Sequence, residues 1–127
     1  MSNADFHVHD DILEFGAAET FDRGDAERLF ALLADLRRRH PRVFLLVRAG
    51  GPGMTTEARR TITDWFKTTN QPLEAAMYGG SAIHRTIVEM IRRAVDVLSP
   101  GKLVLDAYKT RDEALAWIAA RRGTPLV

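Results

Sequence analysis

Two histidines, His7 and His9, are separated by one residue and followed by Asp10 and Asp11. On a strand, residues two apart share a face, and a His-x-His pair beside a carboxylate has the donor types of a zinc site. No third histidine is near in sequence and the two aspartates suit a turn, so exposed edge-strand histidines are expected here, with no metal. Gly79-Gly80-Ser81-Ala82-Ile83 falls one glycine short of the nucleophile elbow Gly-x-Ser-x-Gly, with His84 three residues after the serine. Acyl transfer also needs a base and an acid placed later, and 127 residues leave little room for that fold. A hydrolase is therefore the last of three readings.

Two glycine-containing segments offer binding rather than catalysis. They are Gly50 to Thr56, with Gly51, Gly53, Thr55 and Thr56, and the turn containing Gly80 and Ser81. Each is expected to follow a parallel strand and open a helix, where unpaired N–H groups favour an anion. The first lacks the lysine of a phosphate-binding loop and the second the third glycine of a dinucleotide fingerprint. Tight turns, with Thr55 and Ser81 as helix caps, explain the same residues. The following helix adds Arg59 and Arg60 as candidates for an acidic partner or a phosphate.

The elements that must carry these residues are legible from periodicity. Phe6 to His9 and Ile12 to Phe15 read as a hairpin about Asp10-Asp11. From Asp22 to His40, Ala26, Leu29, Phe30, Leu33 and Leu36 form one helical stripe ended by Pro41, with Arg37, Arg38 and Arg39 placed to suit the helix dipole. Val43 to Val47 reads as a buried strand. A helix from Thr55 or Thr56 should bury Ala58, Ile62, Trp65 and Phe66. Leu73 to Tyr78 is a strand, and a third helix carries the stripe Ile83, Ile87, Ile91, Val95 and Leu98, flanked by Met90 and Ala94. Its wet face pairs Glu89 with Arg85, Arg92 and Arg93. Leu103 to Leu105 is a short strand, and Thr110-Arg111-Asp112-Glu113 a capping box opening a last helix that ends near Gly123.

The expected order is ββαβαβαβα: one α/β domain over residues 1–127, its mostly parallel central sheet edged by an antiparallel N-terminal hairpin. The absence of cysteine excludes disulfides, thiol catalysis and cysteine-rich metal sites. A net charge of +1 gives no overall footprint for nucleic acid, although 15 of the 18 basic residues are arginine. That balance hides an asymmetry. Residues 1–27 hold eight acids against Arg23, a net −7, and the rest of the chain carries +8. No run is long and apolar enough to span a membrane and no signal-peptide pattern opens the chain, so a cytoplasmic protein is expected. Ser2, Asn3 and Ala4 are given no functional weight.

In this order the chain resembles the SpoIIAA-like branch of the STAS domains, including its STAS/SEC14-like members. The likeness rests on the opening hairpin, on Val43-Phe44-Leu45-Leu46-Val47 before a long helix, on the strand entering Gly79-Gly80, and on the ending Thr110-Arg111-Asp112-Glu113-Ala114-Leu115-Ala116-Trp117-Ile118. The resemblance implies a non-enzymatic domain without cofactor that binds a regulatory protein, such as an anti-sigma factor, or an apolar or anionic small ligand. Family antagonists carry a phosphorylatable residue in an Asp-Ser-Ser/Thr-Gly motif. Here the equivalent segment keeps the hydroxyls of Thr55 and Thr56 but lacks the acid. Protein binding through Arg59 and Arg60 is the first reading, and a carrier holding a lipid or acyl anion is the second. A homodimer through the hairpin edge would suit either.

Overall fold

A computed structural model of the chain describes residues 4–17, 19–50, 53–69, 72–80, 82–98 and 103–123. The elements are β1 (Ala4–His9), β2 (Ile12–Ala17), α1 (Arg23–Arg39), β3 (Phe44–Arg48), α2 (Thr56–Thr68), β4 (Leu73–Tyr78), α3 (Ala82–Leu98), β5 (Leu103–Tyr108) and α4 (Arg111–Arg122). The strands form one sheet in the order β1-β2-β3-β4-β5, antiparallel between β1 and β2 and parallel elsewhere. Helices α1, α2 and α3 pack side by side on one face, and α4 lies on the other against β3, β4 and β5.

Local chemistry explains the boundaries. Asp10 turns the hairpin at φ 61, a left-handed conformation that aspartate tolerates better than most residues. Asp22 caps α1 and Asp25 returns the bond, an acidic capping box. Asp25 is fully buried because its carboxylate also accepts the Ala4 N–H at 3.1 Å, tying the start of β1 to α1. Ala4 is thus a buried residue of β1. β5 continues to Tyr108, three residues beyond the expected Leu105, because its register with β4 runs the full length from Leu73↔Leu103 to Tyr78↔Tyr108. At α4, Thr110 accepts from the Glu113 N–H at 3.2 Å, while the Glu113 carboxylate accepts from the Thr110 hydroxyl rather than from its N–H.

Each face of the sheet has its own core. Leu13, Phe15, Leu45, Ala75 and Leu103 meet Leu29, Leu33, Leu36, Ala58, Phe66 and Val95 on the three-helix face. Ile12, Phe44, Leu46 and Ala76 meet Ala114 and Ile118 on the α4 face. Of the α3 stripe, Val95 is buried; the side chains of Ile83, Ile87, Ile91 and Leu98 lie outside the described residues. Met90, expected to flank that stripe, is exposed, and Val88 is buried in its place.

Candidate functional site: an apolar cavity beneath the sheet

A cavity of about 170 Å³ opens between the sheet and the three-helix layer. Its sheet wall is built from alternate residues of consecutive strands: Phe15, then Leu45 and Val47, then Leu73, Ala75 and Met77, then Leu103 and Leu105. This is the period-two alternation that puts every second strand residue on one face. Leu29 and Phe30 of α1, Ile62 and Phe66 of α2 and Val88 of α3 close the opposite side. Phe21, Ala49, Gly50, Gly53 and Met54 complete it at the carboxyl end of β3. Trp65 backs this wall without lining it, stacked on Phe30 with ring centres 4.6 Å apart and planes 11° apart.

The cavity lining is almost wholly hydrocarbon. Arg48 is the charged residue among the described ones that touch it, and its side chain belongs to the other face. There it crosses Gly16 and donates to Asp5 at 3.0 Å. The three stand in one register, Asp5↔Gly16↔Arg48. A Cβ on Gly16 would come within 2.9 Å of the Arg48 carbonyl oxygen, so the crossing requires glycine.

The sequence candidates gather at the cavity's end. The Ala49 N–H donates to Tyr78 at 2.9 Å and the Gly79 N–H to Tyr108 at 3.2 Å, which sets the two glycine loops side by side at the carboxyl ends of β3, β4 and β5. Gly79 and Gly80 have φ 74 and 83, and Gly53 has φ 130, so each turn depends on glycine. The segment from Gly53 to Thr55 is stitched to Phe21 by two backbone bonds of 2.9 Å, Phe21 N–H to Gly53 and Thr55 N–H to Phe21. Thr55 caps α2 by accepting the Ala58 N–H at 3.1 Å, so one of its oxygen's lone pairs is already used. Thr56, Arg59 and Arg60 are exposed on the first turns of α2, and neither arginine makes an ion pair among the described residues. Gly51 and Ser81 lie outside the described residues.

A polar cluster on the α4 face was not anticipated from sequence. Glu14, buried on β2, receives Arg111 of α4 through Nε at 3.0 Å and through a terminal nitrogen at 2.9 Å. Tyr78 donates to it at 2.7 Å, and His9 Nε2 stands 3.0 Å away. The Arg111 guanidinium, with Tyr78 and His9, holds the Glu14 carboxyl at about 2 against the opposing effect of burial. Burial, and then the neighbouring carboxylate, push the Tyr78 phenol up. Glu74, buried on β4, takes Arg42 at 2.5 and 2.7 Å and Arg121 at 3.0 Å. Asp11 takes Arg122 at 2.8 Å. The signal available in sequence was a glutamate standing alone among apolar residues in each strand, in Ile12-Leu13-Glu14-Phe15 and in Leu73-Glu74-Ala75-Ala76.

Much of the charge asymmetry is thereby accounted for. Asp5, Asp11 and Glu14 of the acidic opening are the counter-charges of Arg48, Arg122 and Arg111 in the basic body. His7 and His9 share the outward face of the edge strand with ring centres 6.4 Å apart, and His9 turns to Glu14 rather than to Asp10 or Asp11. Among the described residues no three His, Asp or Glu side chains gather as metal ligands. Nor is any helix there long and apolar enough to cross a membrane. A second cleft, along β5, is lined by Arg92, Asp106, Trp117 and Arg121 and is more polar, and its arginines are already bonded to Glu89 and Glu74.

Among solved structures the chain is similar to an uncharacterised protein of the DUF3478 family with a SpoIIAA-like fold from Shewanella loihica PV-4. The TM-score is 0.57 at 17% identity, over 92% of this chain and 94% of that one. The fold is SpoIIAA-like. This agrees with the five-stranded mixed sheet and four helices, and at that identity the likeness concerns the fold alone. No protein-family model matches the sequence, and no curated protein does. Within the SpoIIAA-like frame, the cavity lies on the three-helix face and the Glu14 and Glu74 clusters on the α4 face.

Proposed function

We propose that this SpoIIAA-like chain is a single non-enzymatic binding domain that holds a small apolar ligand between its sheet and helices α1–α3. The observation that carries this reading is the 170 Å³ cavity itself, lined by side chains that offer dispersion contacts and almost no hydrogen bonds. Interiors of this size normally close to crystal-like density. A ligand that fills the space restores those contacts.

The carrier reading therefore moves ahead of the protein-binding one. The test is native mass spectrometry of gently purified protein, with solvent extraction of whatever accompanies it. An apolar molecule released at near-equimolar amount is the expected result. A chain that emerges empty, and whose Tm no apolar compound raises, contradicts it.

A second reading has its own observation: Arg59 and Arg60 stand exposed without an ion pair among the described residues, beside the cavity's loop. They would meet an acidic surface on a regulatory protein, so ligand occupancy and partner binding would adjoin. Reversing both charges is expected to release a copurifying partner. A partner that stays bound to the reversed variant removes this reading.

A further inference from the structure

The cavity's volume and walls also define what fills it, and this step rests on the binding reading above. We infer that the ligand is a neutral molecule of about the bulk of a single aromatic ring, and not a fatty acid or a phospholipid. Volume sets the size. A protein cavity of about 150 Å³ lined by aliphatic and aromatic side chains stays dry and accommodates benzene, and the present one is about 170 Å³. A long acyl chain is bulkier than the space these walls enclose.

The walls set the chemistry. Phe15, Phe21, Phe30 and Phe66 supply aromatic rings, and Met54 and Met77 add polarisable sulfur, the partners that favour an aromatic guest. Neutrality follows from the almost wholly hydrocarbon lining of the described walls. Arg48 is committed to Asp5 on the opposite face, the Phe21 N–H to the Gly53 carbonyl and the Thr55 N–H to the Phe21 carbonyl. A carboxylate entering among these groups would lose its water without gaining a described partner.

Trp65 reports on the site through Phe30, whereas Trp117 packs on the α4 face. Trp117→Phe therefore leaves one tryptophan beside the cavity. The experiment titrates this variant with toluene, benzoate and palmitate, reading Tm and Trp65 emission. Toluene is expected to raise Tm by about 5 °C at ten times its Kd and to shift the emission, with benzoate and palmitate inert. Ala75→Val, which places two methyl groups into the cavity wall, is expected to weaken toluene binding at least tenfold. Benzoate binding as well as toluene overturns the neutral ligand. Palmitate binding with a Trp65 response, and toluene without one, overturns the size while leaving the cavity reading intact. Toluene affinity unchanged in a folded Ala75→Val places the binding elsewhere and overturns the inference. Silence from all three compounds defeats both inference and cavity reading, whether or not the valine variant folds.

Discussion

Arg111, the first residue of α4, grips Glu14 of β2 with two nitrogens across 97 positions of sequence. It pins the amino end of α4 to the sheet. Arg121 on Glu74 and Arg122 on Asp11 pin the carboxyl end. These pairs add to the apolar packing of Ala114 and Ile118, with Leu115 and Trp117 beside them, in fixing its position.

The Glu14 pair makes stability depend on acid. Its carboxyl titrates at about 2 in the folded chain against 4.5 in the ordinary state, so the unfolded chain binds the proton first. The contribution is complete above pH 4.5 and is lost as pH falls toward 2. With Arg111 partly exposed, it is about 2 kcal/mol. Urea unfolding between pH 6 and 2.5 should show that decline, and Glu14→Gln should flatten it. An equally steep slope in the glutamine variant would assign the effect to other carboxylates.

Glu74 is 1% exposed and holds two arginines. Glu74→Leu removes the carboxylate that both guanidiniums share, and a loss of about 3 kcal/mol is expected in denaturant unfolding. A change below 1 kcal/mol would show that Arg42 and Arg121 rehydrate at no cost.

Gly16 is required by close approach rather than by its dihedral angles. Gly16→Val sets a side chain against the Arg48 backbone, and it should cost more than 2 kcal/mol and break the Asp5–Arg48 contact. Asp5→Asn, by contrast, removes an exposed pair and should cost less than 1 kcal/mol. Thermal unfolding of the two variants separates the effects, and equal losses would refute the packing explanation.

The fold was legible because its signals are local. The Ala26-Leu29-Leu33-Leu36 stripe, the apolar run before Arg48 and the glycine turn after Tyr78 each specify an element within a few residues. The site was legible only at its rim. Gly53 and Thr55 could be placed at a strand end, but the cavity is a shortfall of packing volume among Phe15, Phe30, Ala75 and Met77, and no single residue type announces it. The α4-face clusters stayed hidden for another reason. Glu14 looked like one more acid of an acidic opening, and only the sheet brings it to Arg111.

The central claim, that the cavity takes an apolar guest, is tested most directly at the methionine methyl groups. Met54 and Met77 line the cavity, whereas Met90 is exposed on α3. In a spectrum of protein carrying ¹³C-methyl methionine, toluene should shift the Met54 and Met77 signals together and saturably, leaving Met90 in place. Signals of Met54 and Met77 that stay fixed while toluene is raised to its solubility limit would contradict the account.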